Sequence, residues 1–431
     1  MSLHTQQHPS LTVEQNRMEH EVKETPIRVA LFPDSLREVN GVANTFRHFA
    51  DYARKRDMPL LVVHGSAPDG VREDGSVRFF GLKRGPISFP VEKDLRFDVA
   101  FVLHLGRVQE ELRRFRPDVV HITGPSDIGM LGAIAAHRLG IPLAASWHTN
   151  IHEYAAKRVD RILPKWLLRG GARSWMLNRL EETAFQLLML HFKLARFYFA
   201  PNPELVERLQ TATKKHCWLM ERGIDLDLFG PQKRTRKEDG EFVIGYVGRL
   251  STEKMIRSFA PLAQALSKAG HRHVRFVFVG HGSEEKWLQE NIPGARLPGV
   301  LKGEALSRAY ADLDLFIFFS DTDTFGNAVL EALASGVPAV VSDKGGPKFI
   351  VKEGCGIVCA SDDEFLRAAL RLIEDQSLLR AMSLAARRRA ELASWDAVFD
   401  AVYCAYGCEL REKNGAFENK ALASASFTQN A

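Results

Sequence analysis

The chain has 431 residues, enough for two or three domains that each bury a core. With 45% hydrophobic and 26% charged residues it falls outside disordered and fibrous compositions, and no apolar run approaches the ~18 residues of a membrane span. The net charge of +5 does not by itself argue for nucleic acid, since anionic sugar nucleotides or anionic lipid would suit it equally.

Residues 1–26 are polar, lack an apolar core and end in Pro26. They are no signal peptide and read as a disordered tail. From Ile27 the pattern alternates strand and helix. Apolar runs at 27–32, 60–65, 118–124 and 142–148 are separated by helical stretches, among them a basic helix stopped by Pro117 and another punctuated by Gly140. That alternation predicts a parallel sheet with helices on both faces, whose ligands bind beyond the carboxyl ends of the strands. Gly41, His121 and His148 sit at such ends. Gly41 in Asn-Gly-Val-Ala is either an ordinary turn or a place where backbone approaches an anion. A strand-end histidine is either structural or a pocket lining.

Between Tyr154 and Leu180 seven Lys or Arg stand against one Asp, interleaved with Trp166, Trp175 and several Leu. This stretch is either a helix at an anionic membrane interface or a basic helix packing on the core. No helix-turn-helix, zinc finger or stacking platform supports a nucleic-acid partner. A polar segment at 233–241 then reads as an exposed linker. Apolar runs at 242–248, 274–280, 315–320, 338–342 and 356–359 restart the pattern, and helix follows to about Arg411. The expected divisions are a first lobe at 27–225, a second at 226–394, a last helix at 395–412 and a tail at 413–431. The five cysteines read as buried small hydrophobes of a reducing compartment, not as a metal site.

The stretch 320–336, Ser-Asp-Thr-Asp-Thr-Phe-Gly-Asn-Ala-Val-Leu-Glu-Ala-Leu-Ala-Ser-Gly, reads as strand end, tight turn and helix start. Unpaired N–H groups at a helix start suit an anion. Glu331 lies two turns from Asp323 and one from Asn327, on one face, and its carboxylate can accept from a pair of ribose hydroxyls. Arg249 and Lys254 follow the strand-end Gly248 and suit a diphosphate. Gly280 and Gly282 form a lone Gly-x-Gly after a buried strand.

These residues carry a resemblance. The stretch around Asp323, Phe325, Gly326 and Glu331 resembles the nucleotide-sugar signature of retaining glycosyltransferases with two Rossmann-like lobes (the GT-B architecture), in particular glycosyltransferase family 4. Where that family has a first Glu, this chain has Asp323, which moves the carboxylate by roughly 1.5 Å. Gly248-Arg249-Leu250 with Lys254, the Gly280/Gly282 loop, Gly345-Gly346-Pro347, His148-Thr149 and Arg222-Gly223-Ile224-Asp225 resemble further family segments. The resemblance implies an α/β fold of two parallel-sheet lobes facing a cleft. It implies Arg249, Lys254, His148 and Asp323 as catalytic residues, and Gly41, Gly248, Gly280, Gly282, Thr324, Phe325, Gly326, Asn327 and Glu331 as donor-binding ones. His148 would donate to a sugar hydroxyl or the leaving oxygen. No metal or other cofactor is expected. The branch that looks most similar holds GDP-mannose-dependent α-mannosyltransferases and sulfoquinovosyl-diacylglycerol synthases. The expected activity is therefore retaining hexosyl transfer, mannosyl from GDP-mannose first, onto a lipid or glycan in the cytoplasm or on the inner membrane face. UDP-sugar-dependent transfer, a non-hydrolysing sugar-nucleotide epimerase and a nucleotide-sugar-binding protein without catalysis are the alternatives. An epimerase would need further acid/base carboxylates.

Overall fold

The computed structural model describes residues 26–36, 41–65, 68–83, 85, 88–92, 95–148, 171–237, 240–352 and 354–427. Of the expected tail at 1–26, residues 1–25, and of the expected membrane-facing stretch at 154–180, residues 154–170, lie outside the described residues.

The first lobe is an eight-stranded sheet in the order β10-β9-β8-β7-β1-β2-β4-β3. Its strands are β1 (Val29–Phe32), β2 (Leu60–His64), β3 (Gly70–Asp74), β4 (Val77–Gly81), β7 (Val119–Ile122), β8 (Leu143–Ser146), β9 (Phe197–Ala200) and β10 (Cys217–Leu219), with a separate hairpin of β5 (Ser88–Glu92) and β6 (Leu95–Asp98). All neighbours are parallel except β3, which closes the edge antiparallel to β4. The central runs are buried end to end, as a sheet covered on both faces requires. In β1, Ala30 and Phe32 join the core on one face while Val29 and Leu31 join the other.

The second lobe is a six-stranded parallel sheet ordered β13-β12-β11-β14-β15-β16. Its strands are β11 (Phe242–Val247), β12 (Val274–Val279), β13 (Arg296–Gly299), β14 (Leu315–Phe318), β15 (Ala339–Ser342) and β16 (Gly356–Cys359). Numbered within the lobe this is the order 3-2-1-4-5-6 of a dinucleotide-binding fold, and the strand order reverses between β11 and β14. Strand β13, Arg-Leu-Pro-Gly, shows no apolar run in sequence; it pairs only at the edge, with a register shift against β12.

The chain crosses between lobes twice, side by side. Ile224 pairs with Ser394, and its N–H donates to Ala393 O at 2.8 Å. A Cβ on Gly223 would lie 2.5 Å from the Trp395 ring, so only glycine lets the two crossings touch. The helix Trp395–Phe427 then returns to the first lobe. Phe399, Val402, Tyr403 and Tyr406 fall on one stripe and complete the core face formed by Val29, Leu31 and Phe49. Phe49 stacks on Phe399 at 4.8 Å, and Tyr52 donates to Asp400. This helix extends to Phe427, so the tail expected from 413 is helical through that residue. Its Glu, Lys, Leu and Ala are strong helix formers, and polarity alone misreads them as disorder. No helix among the described residues is long and apolar enough to cross a membrane.

Candidate functional site

At the carboxyl ends of β11 and β12 three glycines let two loops interlock. Gly248 has φ +151°, and a Cβ there would lie 2.7 Å from the Tyr246 hydroxyl, which donates to Arg249 O at 3.1 Å. A Cβ on Gly280 (φ +141°) would lie 1.9 Å from Gly248 O, and one on Gly282 would lie 2.0 Å from Leu250 O. Main chain therefore packs on main chain beside the switch point, leaving backbone close to whatever binds there. Arg249 is exposed at this edge. Lys254 ends the short turn Thr252–Lys254, which Glu284 pins from below: Thr252 Oγ1 donates to Glu284 at 3.0 Å and Arg257 Nε at 2.6 Å. The Arg257 guanidinium holds the Glu284 carboxyl below its usual range.

Beyond β14 the 320–326 loop turns sharply into the helix Asn327–Ala334. Gly326 takes φ +108°, a conformation that glycine alone adopts cheaply. A Cβ on Gly346 would lie 2.2 Å from Thr324 O, and the Gly346 N–H donates to Asp323 O at 2.6 Å. The Gly-Gly-Pro segment thus cradles the loop. Phe325 is buried beneath it. Lys254 Nζ sits 2.7 Å from both carboxylate oxygens of Asp323. Glu331, one turn into the helix, accepts from the Tyr310 hydroxyl at 2.7 Å, and burial pushes its carboxyl up to about 7.

The first lobe meets this loop directly. Thr324 Oγ1 donates to His148 O at 2.8 Å, and Asn202 Nδ2 donates to Thr324 O at 2.7 Å. Gly41, read from sequence as a loop residue, is the first residue of the helix Gly41–Lys55, and a Cβ on it would lie 2.6 Å from Asn327 Nδ2. Two helix starts from the two lobes thus face each other across the cleft. Their N–H ends carry partial positive charge.

His148 departs from expectation. Both its ring nitrogens are engaged inside the protein: Nδ1 lies 2.6 Å from Arg222 Nη2 and Nε2 lies 2.6 Å from Ser146 Oγ. Burial first, and then the Arg222 charge, hold the ring far below the usual histidine range. It is a neutral, occupied imidazole and has no free N–H to give to a sugar hydroxyl or leaving oxygen. What it presents to the second lobe is its backbone carbonyl.

The comparisons with known proteins agree with this geometry. Residues 39–228 match a model described as Glycosyltransferase Family 4, and 241–375 match one described as Glycosyl transferases group 1. A GDP-mannose-dependent alpha-mannosyltransferase of Corynebacterium glutamicum is 30% identical over 86% of this chain and 87% of its own. The chain belongs to glycosyltransferase family 4. Sulfoquinovosyl transferase SQD2 of Arabidopsis thaliana is 29% identical over 86% of this chain and 72% of its own. A solved sucrose-phosphate synthase from Thermosynechococcus elongatus superposes with TM-score 0.65 at 19% identity, covering 90% of this chain and 100% of its own, a likeness of fold. The protein is a hexosyltransferase that uses a nucleotide sugar, and its two facing lobes are the GT-B architecture.

Within this family 4 enzyme the structure gathers Arg249, Lys254, Asp323, Thr324, Asn327, Gly41 and the His148 carbonyl around one cleft. Glu331 lies one helical turn deeper, and Gly248, Gly280 and Gly282 shape the floor. Sequence reasoning assigned no role to Arg222, Asn202, Tyr310 or Asp34. Asp34 follows β1 at the first lobe's own switch point, between β1 and β7. Its N–H donates to Thr123 Oγ1 at 2.8 Å and its carboxylate accepts from Ser126 Oγ at 2.5 Å. Burial, aided by the nearby Asp127 charge, pushes it up to about 6. The strand-then-Asp pattern at 27–34 was a usable signal for it. Arg222 and Tyr310 gave none, because their partners are 74 and 21 residues away.

Proposed function

We propose that the chain transfers a mannosyl group from GDP-mannose, with retention of configuration, to a lipid or glycan acceptor. One observation carries the site assignment: Lys254 clasps Asp323 at the mouth of the loop that opens the helix toward Glu331. In the donor complex Lys254 and Arg249 turn to the diphosphate, and the helix starts at Gly41 and Asn327 add their N–H groups. Asp323, released, accepts from hydroxyls of the transferred sugar. Glu331 accepts from the ribose pair, and Tyr310 orients it. The bond from the sugar anomeric carbon to the phosphate oxygen breaks. The acceptor oxygen attaches on the same face, and its proton passes to the departing phosphate oxygen. Arg249 and Lys254 stabilise the charge that develops there, without need of a metal ion.

The acceptor enters over the first lobe, where Asp34, Thr123 and Ser126 mark the switch point. Names of relatives support the donor: the Corynebacterium protein is GDP-mannose-dependent. The Arabidopsis name favours sulfoquinovosyl transfer as a second reading. Peripheral contact with an anionic membrane on the cytoplasmic face belongs to the same reading. It is supported by the basic, Trp-containing composition of 154–180 and by Trp175, 68% exposed on the helix Gly171–Phe192.

The test is a transfer assay with GDP-mannose, UDP-glucose and UDP-sulfoquinovose, membrane lipid extract as acceptor, and EDTA present. GDP release with an α-mannosylated product supports the reading. Turnover of a UDP-sugar instead, an inverted anomer, or loss of activity in EDTA contradicts the corresponding part.

A further inference from the structure

Arginine carries only donors, and this fixes the proton on His148 in the chain of contacts behind the 320–326 loop. Arg222 Nη2 faces His148 Nδ1 at 2.6 Å, so that nitrogen is bare and accepts. The neutral ring then carries its proton on Nε2 and donates to Ser146 Oγ. The Ser146 hydroxyl lies in turn 2.9 Å from His121 Nε2. His121 Nδ1 lies 2.5 Å from the Tyr406 hydroxyl. The other His148 tautomer would require arginine to accept.

The five residues come from the inter-lobe crossing, β8 and its end, β7 and the returning helix. Among the described residues the groups facing His148 are Arg222, Ser146 with His121 behind it, Phe46 of the helix Gly41–Lys55 at 5.1 Å between rings, and Thr324 of the second lobe. None is acidic. Arg222 is 3% exposed, and its Nη1 is buried without a hydrogen-bond partner. An uncompensated buried cation is costly, and an apolar side chain would fill the space more cheaply. Something other than packing explains it.

We propose that Arg222 is a positioning residue for glycosyl transfer. It holds His148 in the neutral Nε2–H form and so fixes the His148 carbonyl that Thr324 grips across the cleft. Through Thr324 it sets the loop that presents Asp323 and Asn327 to the donor. This rests on the reading of that loop as the donor loop.

The experiment pairs Arg222→Met, similar in bulk but apolar, with Arg222→Lys, which keeps a cation and a donor. Nitrogen NMR of the histidine-labelled free protein reads the tautomer, with the His148 signals identified by their loss in His148→Gln. In the wild type they show a bare Nδ1 and a protonated Nε2, unchanged from about pH 5 to 8. In Arg222→Met the Nδ1–H tautomer of His148 becomes populated, while burial keeps the ring neutral over the same range. Donor kcat/KM falls about 10²-fold, the scale of a misplaced site. Arg222→Lys restores the tautomer and most of the rate. A protonated Nδ1 in the wild type, an unchanged kcat/KM in Arg222→Met, or Arg222→Lys falling as far as Arg222→Met overturns the proposal. The NMR arm uses no donor, so failure of the donor reading shows up separately, as absent turnover with the tautomer intact.

Discussion

Lys254 Nζ lies 2.7 Å from each carboxylate oxygen of Asp323, so the cation proposed for phosphate and the carboxylate proposed for sugar neutralise each other. In the proposed donor complex this pair is exchanged for two new ones: ammonium to diphosphate and carboxylate to sugar hydroxyls. Neither group is then left buried and unpaired at any stage, which keeps the cost of opening the pair low. Lys254→Ala and Arg249→Ala each remove a partner of the departing diphosphate. Both should lower kcat by about 10²-fold or more in steady-state assays, with the melting temperature little changed for the exposed Arg249. Near-wild-type kcat in both variants would be incompatible with the assignment.

Much of the second lobe could be read in the sequence, because its information is local. Gly248 with Arg249 and Lys254, and Asp323 through Glu331, are contiguous stretches whose turn chemistry and helix start determine their geometry. The first lobe was less readable. The β3–β4 edge carries Arg72, Glu73, Asp74 and Arg78 among its apolar residues, so its periodicity is weak. Long-range polar partners were the chief omission. The Asn202–Thr324 and Arg222–His148 contacts span 122 and 74 residues and depend on how the lobes dock. His148 shows the consequence: its position at a strand end was legible, but the occupation of both ring nitrogens was not.

Glu331 offers a pH test. Its folded value of about 7 stands above the ordinary 4.5 of a glutamate, so its burial costs nothing below about 4.5 and weakens the fold as pH rises toward 7. Glu331→Gln removes that penalty. The variant should gain melting temperature relative to wild type between pH 5 and 8 and bind nucleotide more weakly. Nucleotide affinity of the wild type should fall as pH drops below about 7, because a protonated carboxyl accepts less well from ribose. A pH-independent affinity for the wild type would count against Glu331 as the ribose partner.

Gly280→Ala tests the interlocked loops. The new Cβ would lie 1.9 Å from Gly248 O at a φ of +141°, so main chain must move. A cost of about 1–3 kcal/mol or more follows, together with weaker donor binding. Urea unfolding and nucleotide titration would read both; a variant as stable as wild type would show that the loops are not in contact.

Asp34→Asn keeps size and hydrogen bonding but removes the carboxyl that burial, beside Asp127, pushes up to about 6. If Asp34 serves the acceptor, this variant should raise acceptor KM about tenfold, the scale of one hydrogen bond to a charged group, and leave donor KM unchanged. A rise confined to donor KM would move Asp34 to the other substrate.

The most direct test of the account is thermal stabilisation of the purified protein by GDP, UDP and ADP, each alone and as its common sugar conjugate. A nucleotide at 100 times its Kd adds about 2.7 kcal/mol to the native state, a readily measured shift. The account predicts stabilisation selective for GDP and GDP-mannose, diminished in Glu331→Gln and in Lys254→Ala. Selectivity for UDP would contradict mannosyl transfer, and no shift with any nucleotide would contradict the donor site itself.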